Sequence, residues 1–415
     1  MTYEAFITWL EKVPLYGHKD GINNIRKLLA RLGHPEKCAP VIHVAGTNGK
    51  GSCCAMMASV LQRSGMKVGL FTSPHLVTYG ERIRVDGINI SEEELVRLGL
   101  EVKKQLEEMV AAGENHCTFF EILTAIGFLY FAREQVDVIV LEVGVGGRLD
   151  ATNVVEEPAL CLIASISLDH TKVLGDTLEA IAAEKAGILK AGRPVVLSEN
   201  PLCVRQVVET AAREKGCPFI YAPSFESGAS DYPIPLAGNY QKQNRRAAVT
   251  ALRLLQQQGF PITEESLREG LARTDWPGRM QTLQVEGQTV LMDGAHNPGG
   301  ARMLADYLDQ SYAPGSCTLV FSALGKKDLS GILQPLAETK AIGKAVFTCI
   351  HGEDNTASFL NSWKMADGTD MPYEIVKSPM EALKQACAEK PGLVVCAGSL
   401  YLLGELLGEL QRDNP

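Results

Sequence analysis

The sequence predicts an α/β protein: a phosphate-loop-type N-terminal domain on a mostly parallel sheet, then a smaller Rossmann-like α/β domain. Three observations point there. Short apolar runs rich in β-branched residues alternate with longer amphipathic stretches, the pattern of strands joined by crossover helices. The stretch VDVIVLEVG (136–144) is almost wholly apolar, as a strand covered on both faces must be. The glycine-rich VIHVAGTNGKGS (41–52) lies between a strand pattern and a helix pattern, where a phosphate loop belongs.

The elements follow in order. PVIHVAG (40–46) reads as a strand, 52–65 as a helix and KVGLFTS (67–73) as a second strand. Helical stretches near 91–111 and 119–134 precede strands at 136–144 and 159–167. A helix over 177–190, a strand at 193–198 and a helix over 239–259, ended by Gly259, complete the first part. In DWPGRMQTLQVEGQTVLMDGAHNPGG (275–300), Pro277 and Gly278 break the helical pattern and Gly287 marks the turn of a strand pair. The alternation then restarts at 299–310, 317–323, 328–339, 343–349, 379–389, 392–397 and 399–411. A boundary near 282 gives domains 1–282 and 283–415, and the polar stretch 351–372 reads as an exposed loop.

A chain of 415 residues is long enough for two or three domains, each with its own core. Apolar content of 46% and charged content of 21% are ordinary for a globular enzyme. A net charge of −9 offers no long-range attraction for nucleic acid. The eleven cysteines contain no C-x-x-C, so neither a zinc site nor a disulfide framework is signalled, and reduced thiols in a cytoplasm are expected. MTYEAFITWLEKVP lacks the basic start and apolar run of a signal peptide, and no run is long enough for a membrane-spanning helix.

The loop departs from the usual G-x-x-x-x-G-K-[ST]. Lys50 is followed by Gly51, which has no hydroxyl for Mg²⁺, and Ser52 comes one residue late, turned by about 100° on a helix. Gly46, Thr47, Asn48, Gly49, Lys50, Gly51 and Ser52 remain a candidate anion cradle of backbone N–H groups at a helix start, with Lys50 reaching the phosphates. The competing reading is a glycine-rich turn with a solvated lysine. Glu142 ends a buried strand, as the metal-holding acid of phosphate-loop proteins does, or is a salt-bridged acid. Asp169 and His170 follow the next strand, where a lone histidine is more often a hydrogen-bonding residue than a ligand. Lys185 reads, by composition, as a surface lysine on a helix. Asp293, His296 and Asn297 fit a cleft-facing ligand site and an N-cap cluster equally well.

Taken together, HVAGTNGKGS, LFTSPHL, ERIRVDG, FFEILTAIGFLYF, LEVGVGGRLDATN, DHTKVLGDTLEAIAAEKAGI, WPGRMQ, DGAHNP and GSLYLLGEL resemble the folylpolyglutamate synthase / dihydrofolate synthase family of the Mur ligase superfamily, in order, over about 43–407. The resemblance implies an amide ligase: ATP converts a carboxylate to an acyl phosphate, the amine of L-glutamate attacks it, and ADP and phosphate leave. The carboxylate would be that of dihydropteroate or of a folate's last glutamate. The resemblance also implies two Mg²⁺ ions, ATP as co-substrate, and a carbamate on Lys185. Ser73 and Glu142 resemble the first Mg²⁺ site; Glu142, His170 and carbamylated Lys185 resemble the second. Lys50, His170, Lys185, Asp293 and His296 form the implied catalytic set. Asn244, Arg279 and Asp293 join the loop in holding ATP; His296 and Ser399 border glutamate; Phe120, Glu121 and Asp150 border the folate. We expect a monomer acting on small molecules.

Three alternatives carry different expectations. A peptidoglycan-type Mur ligase commonly has an extra N-terminal substrate domain, for which the 45 residues ahead of Gly46 are too few. A nucleotide-driven switch or transport ATPase would turn over ATP without a carboxylate and an amine. A non-catalytic nucleotide-binding module would bind without turnover and would tolerate changes at Glu142.

Overall fold

The computed structural model describes residues 1–14, 21–325, 327–366 and 371–413. Its first sheet contains β1 (Val41–Ala45), β2 (Val68–Phe71), β3 (Ile83–Val85), β4 (Ile88–Asn89), β5 (Val138–Glu142), β6 (Leu160–Ile163), β7 (Val195–Leu197) and β8 (Phe219–Tyr221). The order is β4-β3-β2-β5-β1-β6-β7-β8. Every pairing from β2 to β8 is parallel; β3 and β4 add an antiparallel edge. The centre, β5-β1-β6, is covered on both faces, which is why these segments are nearly pure apolar runs.

Alternation along each strand sends side chains to opposite layers. From β1 and β5, Ile42, Val44, Val138 and Val140 pack against Met56, Leu61, Ala248, Leu252 and Leu271 of helices Lys50–Arg63, Asn239–Gln257 and Glu264–Ala272. Val41, Ile139, Leu141 and Phe71 face the other way, onto Phe128, Leu95 and Leu28.

The second sheet contains β9 (Gln281–Val285), β10 (Gln288–Met292), β11 (Cys317–Phe321), β12 (Ile342–Phe347), β13 (Tyr373–Ile375) and β14 (Leu393–Ala397), in the order β13-β12-β11-β14-β10-β9. Only β9 runs antiparallel. Its hairpin turn holds Glu286 and Gly287, both at positive φ (51° and 78°), the geometry of a tight two-residue turn.

One expectation fails here. The stretch 351–372 is not an open loop: Thr356–Met365 is a helix, and residues 367–370 lie outside the described residues. Phe359 and Trp363 anchor that helix, their rings 6.1 and 5.6 Å from that of Phe347. Two aromatic anchors one helical turn apart fix the segment despite its polar composition. Among the described residues no helix is long and apolar enough to cross a membrane.

Candidate active site at the domain junction

The loops leaving β1, β2, β5 and β6 gather at the carboxyl ends of the central strands, the crevice where open α/β sheets bind ligands. Residues 46–49 lead from β1 directly into the helix Lys50–Arg63. Gly49 adopts φ 86°, and a side chain there would collide with the Asn244 amide. Gly51 is required for a different reason. A Cβ at this position would lie 2.7 Å from Trp276 Cζ2, so the indole occupies the place where the usual loop carries its hydroxyl residue.

Lys50 and Glu142 meet in this crevice. Lys50 Nζ donates to Thr47 O at 3.2 Å and lies 3.9 Å from Glu142 Oε1. Glu142 Oε2 accepts from the Ser73 backbone N–H at 3.0 Å, so the Ser73 loop and the β5 acid are joined directly. Burial raises the Glu142 pKa, while Lys50 and the Ser73 N–H pull it back.

Lys185 overturns its composition-based reading as a surface residue. It lies in the last turn of the helix Leu178–Ala186 and is only 4% exposed, because that turn packs beneath the glycine loop. Its Nζ donates to Gly46 O at 2.8 Å. Burial, reinforced by the nearby Lys50 charge, lowers its pKa to about 7.

Other expected residues divide between ligand-facing and structural places. The backbone N–H groups of Thr47 and Asn48 both donate to Ser165 O (2.8 and 3.1 Å), which pins the loop to the strand beside it. Ser52 is buried and accepts from Gln241 Nε2 at 3.2 Å; Gln241 Oε1 in turn accepts from Asn244 Nδ2 at 2.9 Å. Ser52 is therefore held by a helix on the far side of the loop. His170 is exposed, takes a left-handed conformation (φ 50°) and opens the short helix Thr171–Leu174. Among the described residues it has no hydrogen bond or ion pair to Glu142 or Lys185, and no three His, Cys, Asp or Glu side chains converge as a metal cluster. The implied ligand sets include a serine hydroxyl and a carbamate, which are not among those four side-chain types. The buried Glu142 carboxylate beside Ser73 supplies hard oxygen of the kind Mg²⁺ takes, and the residues fit that ion.

On the second domain, Asp293 is buried and accepts from Tyr240 Oη at 2.9 Å and from Met280 N at 3.0 Å. Burial raises its pKa, opposed by Arg279. Arg279 Nη1 donates to Gly294 O at 3.2 Å. At DGAHNPGG the structure shows the N-cap, and the capping residue also reaches the first domain. Asn297 caps the helix Pro298–Ser311, accepting from Gly300 N at 2.8 Å, while its Nδ2 donates to Asn48 Oδ1 (3.0 Å) and Asp169 Oδ2 (3.2 Å) in the first domain.

Asp169 is a hub that the sequence displayed without its partners. It pairs with Lys327 at 3.0 Å and with His296 Nε2 at 3.5 Å. Burial alone would raise its pKa, but the His296 hydrogen bond and the Lys327 charge hold it well below the usual carboxylate range. Burial pulls the His296 imidazole down, against the opposing effect of Asp169; its Nδ1 lies 2.7 Å from Gly294 O. Spacing alone could not have found Lys327, Tyr240 or Gln241, because their partners are distant in sequence.

The residues expected at the substrate pockets carry local structure. Phe120 stands 5.9 Å, ring to ring, from Phe71. Glu121, raised in pKa by burial, closes a capping box with Thr118. Asp150 accepts from Thr152 Oγ1 at 2.6 Å, Thr152 N at 3.0 Å and Val145 N at 2.9 Å, and burial raises its pKa. Ser399 is buried at the start of the helix Leu400–Asp413, its Oγ accepting from Tyr401 N at 3.1 Å.

A glycine loop with its lysine, a strand-end acid and a second α/β domain bonded to the loop through Asn297 are the parts of a Mur-type ligase, and the family matches show that class. Residues 44–232 match the Mur ligase middle domain and residues 278–400 the Mur ligase glutamate ligase domain. The chain belongs to the folylpolyglutamate synthase / dihydrofolate synthase family. It is 39% identical to the dihydrofolate synthase/folylpolyglutamate synthase of Bacillus subtilis, over 99% of each chain. It is 32% identical to the folylpolyglutamate synthase of Lacticaseibacillus casei, over 97% of each. Escherichia coli FolC in complex with DHPP and ADP superposes with a TM-score of 0.87 at 29% identity, covering 100% of this chain and 99% of that one. The Mycobacterium tuberculosis folylpolyglutamate synthase complexed with ADP and AMPPCP gives 0.89 at 28%, covering 99% and 98%.

Proposed function

We propose that this protein is an ATP-dependent ligase that joins L-glutamate to folates, extending tetrahydrofolate polyglutamates, and to dihydropteroate, forming dihydrofolate. The observation that carries the reading is the meeting of Lys50, Glu142 and the buried Lys185 around one glycine loop, at a junction closed by His296 and Asn297 from the second domain.

The chemistry follows from these groups. The substrate carboxylate attacks the γ-phosphorus of ATP, the bond to ADP breaks, and an acyl phosphate forms. Two anions must approach each other, so catalysis here is positioning and charge neutralisation. Lys50 neutralises phosphate charge beside the N–H groups at the start of the Lys50–Arg63 helix. Mg²⁺ held by Ser73 and Glu142, with a second ion at Glu142, His170 and a carbamate on Lys185, would supply Lewis-acid charge stabilisation. Arg279, Asn244 and Asp293 would hold the nucleotide. The glutamate amine then attacks the acyl carbon and phosphate leaves, with His296 and Ser399 bordering that amino acid and Phe120, Glu121 and Asp150 the pterin side. The Asp169–Lys327–His296 contacts join the domains over the cleft and would keep water from the acyl phosphate.

Lys185 suits carbamylation. Its amine is substantially neutral near pH 7 and can add CO₂ with loss of a proton, which would replace a buried cation by anionic oxygen. All eleven cysteines are free, which suits a reducing cytoplasm, and we read the protein as a monomer on small-molecule substrates. The test is ligation by purified protein: with Mg·ATP, L-glutamate and either tetrahydrofolate or dihydropteroate, phosphate release should accompany a glutamylated product seen by mass spectrometry. No product with either acceptor, or equal ATP turnover without one, would refute the reading.

A further inference from the structure

The motif ERIRVDG has no part in the chemistry above, yet it contains an unusual cation. Arg82 closes the turn Tyr79–Arg82 ahead of β3 and is only 7% exposed. Its Nε donates to His75 Nδ1 at 2.8 Å, and its guanidinium carbon lies 5.9 and 5.7 Å from the ring centres of Tyr79 and Phe119. Among the described residues no carboxylate forms an ion pair with it within 4.0 Å, and its side-chain hydrogen bond is the one to His75. The acids that act on it from a distance include Glu142 and Glu81, and both are turned elsewhere. Glu81 accepts from the N–H groups of Leu76, Val77 and Thr78, and Glu142 from that of Ser73.

A guanidinium taken out of water without an anion is costly, and burial accordingly lowers the Arg82 pKa. Its planar fork matches a carboxylate with two parallel hydrogen bonds. Its position fits the reactants. His75 lies two residues beyond Ser73, Phe119 adjoins Phe120, and the same loop's Leu76 packs beside Gly278 of the interdomain segment and Gly404 of the second domain.

We propose that Arg82 is a receptor for a non-reacting substrate carboxylate, supplied by the incoming L-glutamate or by the glutamyl tail of the folate acceptor. The proposal rests on the ligase reading above. It adds a binding residue whose guanidinium, held by His75, Tyr79 and Phe119, has no carboxylate partner among the described residues.

Steady-state kinetics of the full chain test it, with Arg82→Gln removing the charge and Arg82→Lys keeping charge without the fork. Arg82→Gln should raise one KM roughly 10- to 100-fold, the value of a charge-assisted pair, with the KM for ATP unchanged and Arg82→Lys intermediate. A raised KM for glutamate with both acceptors identifies the amino acid as the source. A raised KM confined to tetrahydrofolate, whose glutamyl tail dihydropteroate lacks, identifies the tail. For the glutamate source, wild type should bind 4-aminobutyrate or 2-aminobutyrate, each missing one carboxylate, more weakly than glutamate in competition. Arg82→Gln should lose that discrimination for one of them, which a merely structural role would not produce. KM values for glutamate and tetrahydrofolate within twofold of wild type in a folded Arg82→Gln protein would overturn the proposal. A uniform loss in which Arg82→Lys matches Arg82→Gln and ATP binding falls equally would overturn it too. Wild-type turnover reports separately on the parent reading.

Discussion

Lys185 offers the sharpest test of how burial sets chemistry at this site. An ordinary lysine at pH 7 is neutral in about 0.04% of molecules, given a pKa near 10.4. With its pKa lowered to about 7, roughly half of the Lys185 amines are neutral, an increase on the order of 1,000-fold in the form that can add CO₂. The same shift fixes a stability sign. Between about 7 and the unfolded value near 10.5 the unfolded chain holds a proton that the folded chain lacks, so stability rises with pH across this window. The penalty is fully present below about pH 7. A shift of this size corresponds to ~5 kcal/mol as an upper bound. Loss of the Gly46 hydrogen bond, about 1 kcal/mol, and relaxation of the site reduce what a substitution can recover. In Mg²⁺-free, CO₂-depleted buffer, Lys185→Met should therefore exceed the parent by roughly 2–4 kcal/mol at pH 6 and lose that advantage by pH 10. Urea denaturation at several pH values measures it. The variant should be inactive, Lys185→Ala should recover partly with a small carboxylic acid, and ¹³CO₂ should give the parent, but not the variant, a carbamate resonance. A Lys185→Met protein that is equally destabilised at pH 6 and pH 10 would show that the amine is not held neutral. A fully active Lys185→Ala would remove the carbamate.

Three further outcomes are expected. Gly51→Ser, which restores the usual loop hydroxyl, should lower both activity and melting temperature, because its Cβ would press on Trp276; overpacking of this kind costs about 1–3 kcal/mol, and a gain in ATP turnover would contradict the packing. Ser73→Ala should raise the Mg²⁺ concentration needed for half-maximal turnover more than Ser52→Ala, whose cost of about 1 kcal/mol should appear in denaturation through the lost Gln241 bond; the reverse order of Mg²⁺ effects would refute the assignment. Asp169→Ala removes the anion shared by Lys327, His296 and Asn297 and should cost roughly 1–3 kcal/mol of stability and at least tenfold in kcat, both read against a salt titration; an unaltered kcat would detach this contact from closure.

What the sequence made legible was set by the range of the forces involved. The central strands declared themselves because burial on both faces forces an apolar run, and 136–144 contains β5 with its acid at the end. The helix Thr356–Met365 stayed hidden because two anchors, Phe359 and Trp363, do the work of a full apolar stripe. Lys185 could be singled out only through family resemblance: a lysine in EKAG looks solvent-borne until the helix is folded beneath Gly46, 139 residues away in sequence. Asp169 shows the same limit. Its identity was plain, but its function as a bridge depends on Lys327, separated by 158 residues.

The departure of GTNGKGS from the ordinary phosphate loop and the segment joining the domains are linked through Trp276. Gly51 leaves room for Trp276, whose ring also carries the Arg84 guanidinium 5.4 Å from its centre. Trp276 begins the segment that joins the domains, and three and four residues later Arg279 and Met280 reach Gly294 and Asp293 of the second domain. A hydroxyl-bearing residue at 51 would push that segment outward and shift Arg279 with it. The side chain that would ordinarily ligate the metal has thus been exchanged for a seat on which the second domain is mounted. On the proposed assignment the metal's protein oxygens come instead from the loop after β2 and the end of β5, where the Ser73 backbone N–H donates to Glu142 at 3.0 Å.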